Sequence, residues 1–320
     1  MGTPEFAVET LKALVENDYN VVAVVTQPDK PVGRHQTEMQ PSQVKQYAVA
    51  HGLPVLQPVK MKDPEFVEQL RSYNANLQVV VAFRMLPEVV WAMPEYGTFN
   101  VHAALLPQYR GAAPINWAVI NGETQTGVTT FFLDHDIDTG RIILKKTFDI
   151  PDEADVEYVY DGLMHLGAEI CLETLEAIIA ANGHPETVSQ EELSTINYPL
   201  STSEALKPAP KIFKETCEID WQKTAKQVYD FVRGLSPYPG AWTTLVAPDG
   251  KETVLKIYKT RKTGRKGQGS GTIATDGKTL CISAADEQLE LLELQLAGKK
   301  RMSVRDFLNG MKDLESYSVK

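Results

Sequence analysis

Thr98 to Trp117 reads T-F-N-V-H-A-A-L-L-P-Q-Y-R-G-A-A-P-I-N-W, and Phe131 to Arg141 reads F-F-L-D-H-D-I-D-T-G-R. In the first run, apolar Phe99 and Val101 alternate with polar Asn100 and His102. That is the rhythm of a strand, so both polar side chains leave one face of it. The stretch from Gly127 to Leu133, rich in β-branched and aromatic residues, predicts a second strand, which ends in Asp134, His135, Asp136 and Asp138 before a turn at Gly140. Ligands of open α/β sheets bind at strand ends. If the two strands bring Asn100, His102 and Asp138 together, one site holds an amide donor, a proton carrier near neutral pH and an orienting carboxylate. Each residue alone has a plainer reading. A strand His is more often a hydrogen-bonded structural residue, and an Asp before Thr-Gly is ordinary turn chemistry. The interval 104–114 favours the site: its prolines, glycine and small apolar residues suit a buried loop around a ligand better than a surface connection.

Working outward, 320 residues suffice for two domains with separate cores, and 43% apolar with 23% charged residues is the composition of an ordinary soluble globular protein. No apolar run approaches the roughly 18 residues of a membrane span, and acidic groups interrupt the first thirty residues. A cytoplasmic protein with neither signal peptide nor membrane helix is therefore expected. Cys171, Cys217 and Cys281 are odd in number and far apart, which suggests neither a disulfide framework nor a zinc site. The net charge of −10 is unfavourable for a polyanionic partner until it is divided along the chain. Residues 1–205 carry −16 and residues 206–320 carry +6. Such asymmetry fits one domain that does chemistry and another that attracts a polyanion, although solvated faces would give the same totals.

In chain order, Thr3 and Pro4 cap a helix with Phe6, Ala7, Leu11, Leu14 and Val15 on one face. Val21 to Thr26 reads as a buried strand, and residues 27–41, proline-bracketed and polar, as a mobile loop. Helical patterns follow at Pro41–His51 and Asp63–Tyr73, with strands at Leu77–Phe83 and Ile142–Phe148. A long helix from Asp155 to Ala181 stops at Gly183, and residues 184–205, without a sustained period, read as an interdomain linker. Beyond a helix within Ile212–Leu235, short strands recur at Trp242–Val246, Val254–Lys259, Gly271–Thr275, Thr279–Ser283 and Gln288–Leu296, and Ser303 caps a last helix to Leu314. Five short strands predict a small barrel of OB type. The run K-T-G-R-K-G-Q-G-S-G is followed by a strand, so it is neither a Walker loop nor a dinucleotide fingerprint. Its Lys262, Arg265 and Lys266, with Lys259 and Arg261 before them, form the densest basic patch, suited to phosphate contacts.

The stretch around residues 98–141 closely resembles the formyltransferase superfamily that uses 10-formyltetrahydrofolate. The Asn, His and Asp of that superfamily's catalytic set match Asn100, His102 and Asp138, and its S-L-L-P folate-binding segment matches Ala104, Leu105, Leu106 and Pro107, with Ala in place of Ser. G-T-P-E-F at 2–6, T-Q-P-D-K-P-V-G-R at 26–34 and G-L-S-P-Y-P-G-A-W-T at 234–243 resemble the branch acting on initiator methionyl-tRNA, over essentially the full length.

The resemblance implies a doubly wound, mostly parallel Rossmann-like sheet in a catalytic domain over 1–183, the linker at 184–205 and a tRNA-binding OB-like domain over 206–320. It implies 10-formyltetrahydrofolate as the formyl donor, no metal, initiator methionyl-tRNA as partner and a monomer. Asn100 and His102 would donate to the oxyanion formed when the methionine amine attacks the formyl carbon, with Asp138 orienting His102. Pterin contacts fall to Phe83, Met85 and Leu86, where Arg84 replaces a glycine and either approaches the site or turns to solvent. Lys30, Arg34 and His35 would meet the tRNA acceptor end. G-T-P follows a first buried strand in that family, whereas only Met1 precedes it here. The expectation is therefore a vacant central lane in the sheet or a start further upstream. The alternatives are a formyltransferase acting on a nucleotide-sugar or other small amine, and a non-catalytic RNA-binding protein. A glycinamide ribonucleotide formyltransferase would lack the second domain, and a dehydrogenase would need G-x-G-x-x-G after a strand.

Overall fold

The computed structural model of the chain describes residues 1–32, 38–195, 205–311 and 313–320. Two compact units emerge, one formed by 1–111, 125–149 and 160–208, the other by 112–124, 150–159 and 209–320. The second unit thus includes two segments that the sequence assigned to the catalytic domain. The Pro114–Ile120 helix lies against the Ala225–Gly234 helix, where Asn116 Nδ2 donates to the Gly234 carbonyl at 2.8 Å. Asp152 pairs with Lys262 at 2.6 Å.

The first unit is α/β. Gln78–Val81 runs parallel to Thr98–His102, and Gln125–Phe132 and Ile142–Asp149 follow antiparallel. Val24–Val25 and Val55–Leu56 form a separate parallel pair. Between these pieces Met1 and Gly2 occupy one end of a lane: the Met1 amine donates to the Val79 carbonyl, Val81 N–H to the Met1 carbonyl and Gly2 N–H to the Val25 carbonyl. The rest of the lane is a cavity of about 620 Å³ lined by Val22, Val24, Leu77, Val79 and Ile178, among others. This is the vacant central lane that the sequence raised. The predicted Val21–Thr26 strand is reduced to Val24–Val25, and among the described residues no strand pairs with Val21 to Ala23. Facing helices close the core. In Val156–Ala180, Val159, Leu163, Ile170 and Ile178 are wholly buried, and Gly183 at φ +88° ends the turn as expected.

Two segments of this unit depart from their sequence reading. Residues 27–41 are not simply a loop: Lys30–Val32 pairs antiparallel with Glu38–Gln40. The supposed linker carries an isolated bridge from Val188 to Ile142 and a helix, Gln190–Thr195, before the described residues stop. Ser189 and Glu192 mark its start reciprocally, Glu191 N–H donating to Ser189 Oγ and Ser189 N–H to Glu192 Oε2.

The second unit is an antiparallel, nearly closed barrel. Its order is Ile273–Thr275, Leu280–Ser283, Glu287–Leu296, Glu252–Lys266, Ala241–Val246 and Ser318–Val319, and a bridge from Thr272 to Ser318 joins the two ends. Alternating Leu255, Ile257, Leu289, Leu291 and Leu294 fill its interior with Trp221 and Val228. The central strand runs seven residues beyond the predicted end at Lys259. Bulges near Lys259 and between Lys262 and Lys266 let it curl, so K-T-G-R-K belongs to the strand rather than to a loop.

Candidate active site

Thr98–His102 brings Asn100 and His102 out on one face, as period two requires. His102 is 6% exposed, and its Nε2 lies 3.0 Å from the Tyr109 carbonyl. A carbonyl only accepts, so Nε2 carries a proton and donates it. The remaining nitrogen, Nδ1, faces Asp138 Oδ2 at 3.9 Å. That gap is too long for a hydrogen bond but close enough for the carboxylate to stabilise an imidazolium. The Tyr109 carbonyl thus holds the ring at Nε2, and the Asp138 carboxylate lies beside it at Nδ1. Asp138 sits at φ +56° and its Oδ2 accepts from Gly111 N–H at 3.0 Å. The Asn100 carboxamide is partly exposed and has no hydrogen-bond partner among the described residues, so its donors are free for a ligand.

Ala104 to Pro107 are all buried. Leu106 packs on Phe131 and Ile142, so the side chains belong to the core and anchor the segment. Its main chain is held from below: Thr129 Oγ1 accepts from Leu106 N–H at 3.1 Å and donates to the Ala104 carbonyl at 2.7 Å, and Lys145 Nζ donates to the Leu106 carbonyl. Burial lowers Lys145 from 10.5 to about 8. Phe83 and Leu86 pack in the core, while Met85 is 68% exposed. Arg84 turns neither to the site nor simply to solvent: it donates to the Pro58 and Val59 carbonyls and lies over the Phe83 ring.

Sequence reasoning missed Gln190, which is 2% exposed. Its Oε1 accepts from Arg110 Nε at 3.0 Å and Nη2 at 2.6 Å, and its Nε2 donates to the carbonyls of Asp138 at 2.9 Å and Gly140 at 2.8 Å. The one available signal was the S-Q-E-E run at 189–192, a helix-start pattern inside an otherwise aperiodic stretch.

Residues 1–175 match the Formyl transferase family, and residues 211–312 match its C-terminal domain. The chain belongs to the formyl transferase family. Among curated relatives, the methionyl-tRNA formyltransferase of Parabacteroides distasonis is 58% identical over 100% of this chain and 97% of its own length. That of Porphyromonas gingivalis is 46% identical over 97% and 94%. Solved structures share the fold at low identity. An N-formyltransferase from Helicobacter canadensis, in complex with folinic acid and dTDP-3-aminofucose, aligns with a TM-score of 0.58 at 18% identity, covering 94% of this chain and 97% of that one. HypX from Aquifex aeolicus, in complex with tetrahydrofolic acid, aligns at 0.54 and 21%, covering 81% and 43%.

In this formyl transferase the candidate RNA-contacting residues are unevenly free. Lys30 is exposed, while Arg34 and His35 lie outside the described residues. In the barrel, Arg261 pairs with Glu290 at 2.6 Å and Lys262 with Asp152 at 2.6 Å, and Arg265 Nη2 rests 3.1 Å from Cys281 Sγ. Lys259 and Lys266 are exposed with no ion pair among the described residues. No helix among the described residues is long and apolar enough to cross a membrane.

Proposed function

We propose that this enzyme moves a formyl group from 10-formyltetrahydrofolate to the α-amine of methionine esterified to initiator tRNA. The observation that carries this reading is identity of 46–58% to methionyl-tRNA formyltransferases across nearly the whole of both chains. The site chemistry agrees with it. The amine attacks the formyl carbon, and the carbonyl oxygen becomes an oxyanion. Asn100 Nδ2, unpartnered among the described residues, donates to that oxygen, a role worth about 3–4 kcal/mol for a well-placed donor. With Nε2–H committed to the Tyr109 carbonyl, His102 is an acceptor at Nδ1 rather than the oxyanion donor expected from the sequence: the amine proton passes to Nδ1, and the Asp138 carboxylate stabilises the resulting imidazolium across the 3.9 Å gap. As the carbon–N10 bond breaks, the same proton goes to N10, leaving tetrahydrofolate and the formylated amine.

Ala104 to Pro107, pinned by Thr129 and Lys145, form one wall of the folate cleft, with Phe83, Met85 and Leu86 at the pterin end. The exposed Lys259 and Lys266 supply phosphate contacts together with Arg261, Lys262 and Arg265, and Lys30 meets the acceptor end, a role the resemblance also gives to Arg34 and His35. The test is the purified protein with labelled formyl donor, offered either charged initiator tRNA or small amines such as an amino-sugar nucleotide. Label on the aminoacyl-tRNA supports the reading. Label on the small amine alone would move the enzyme to the sugar-modifying branch of the fold.

A further inference from the structure

Gln190 lies outside both matched segments, in a stretch with no helical or strand period, yet its amide is fully used. Two Arg110 donors fill Oε1, and both Nε2 protons go to the carbonyls of Asp138 and Gly140. The orientation admits no flip, because a reversed amide would set its NH2 against the guanidinium and its oxygen against two carbonyls. What distinguishes this from ordinary satisfaction of a buried polar group is where its two ends go. On one side is residue 110, between Tyr109, whose carbonyl holds His102 Nε2, and Gly111, whose N–H holds the Asp138 carboxylate. On the other side is Asp138 itself, whose backbone is left-handed at φ +56°, a region that Asp tolerates better than most non-glycine residues. His102, Tyr109, Arg110, Gln190 and Asp138 thus form a closed ring of contacts, and Gln190 is the only link in it that belongs to neither site segment.

We propose that Gln190 is a positioning residue for the formyl transfer, fixing the Asp138–Gly140 main chain so that the carboxylate stands at working distance from His102 Nδ1. The inference deepens the reading of the site and rests on the role given there to Asp138. Its sharpest probe is Gln190→Glu, which keeps shape and the bond to Arg110. That change replaces both donations to the carbonyls with a carboxylate oxygen facing them. Gln190→Met removes all four bonds at similar volume.

The experiment measures kcat and KM for the formyl donor and for methionyl-tRNA in both variants, alone and in an Asp138→Asn background. Expected is a fall in kcat of roughly 10- to 100-fold, the scale of an ångström-sized misplacement, with KM for tRNA within about twofold. In the Asp138→Asn background the further loss shrinks to less than about threefold, because the group being positioned is already gone. Wild-type kcat in Gln190→Glu, or a loss that multiplies undiminished on Asp138→Asn, overturns the proposal. If the Gln190 variants fold poorly, Arg110→Met, which frees one end of the amide, should still lower kcat at least about threefold, and unchanged turnover would overturn the proposal. Wild-type turnover in Asp138→Asn alone would instead mark failure of the underlying site reading.

Discussion

Thr129→Val isolates the support beneath the Ala104–Pro107 segment, the proposed wall of the folate cleft. Thr129 is wholly buried, and its hydroxyl is the shared partner of Leu106 N–H and the Ala104 carbonyl. Valine has the same shape and opens no cavity, so the change reduces to two buried backbone groups losing their partner. At about 1–3 kcal/mol per unsatisfied group, the loss should be about 2–6 kcal/mol. Thr129→Ser keeps the hydroxyl and removes one methyl, which costs about 1 kcal/mol. Urea unfolding followed by circular dichroism gives the free energies, and amide exchange at Leu106 localises the effect. Valine should accelerate that exchange and raise KM for the formyl donor, while serine leaves both near wild type. A loss below about 0.5 kcal/mol with Leu106 still protected would show that something other than Thr129 holds the segment.

Other consequences are equally accessible. Lys145 should react with an amine acylating reagent with a midpoint near pH 8, well below surface lysines, read by peptide mass spectrometry; a midpoint near 10.5 would contradict its burial. Because its folded pKa is the lower one, the unfolded chain holds more protons between about 8 and 10.5, so this group's contribution to stability rises with pH across that window. Lys259→Ala with Lys266→Ala should flatten the slope of log affinity against log salt for tRNA by about 1–2, whereas Arg261→Ala with Lys262→Ala, already neutralised by Glu290 and Asp152, should change it less. Gly140→Ala would place a Cβ 1.7 Å from the Phe132 carbonyl oxygen; the main chain must move, and kcat should fall at least about tenfold with tRNA affinity intact.

Much of this was legible because local pattern and tertiary role coincide. Period two put Asn100 and His102 on one face, and turn residues marked the barrel strands. What the sequence concealed depends on distant partners. Tyr109 orients His102 through a carbonyl, which leaves no trace in residue identity. Arg84 could have gone to the site or to solvent, and the carbonyls of Pro58 and Val59 decided otherwise. K-T-G-R-K is glycine-bearing and basic, and reads as a loop until Glu287–Leu296 supplies a partner strand. Gln190 left only the helix-start pattern at 189–192, because what it does depends on where its amide points.

The central claim is that His102 Nδ1 takes the amine proton beside Asp138. It is tested most directly by single-turnover formyl transfer to methionyl-tRNA by His102→Ala, with tRNA affinity measured in parallel. The account predicts a rate at least about a hundredfold lower at unchanged affinity. Transfer at close to the wild-type rate would contradict it.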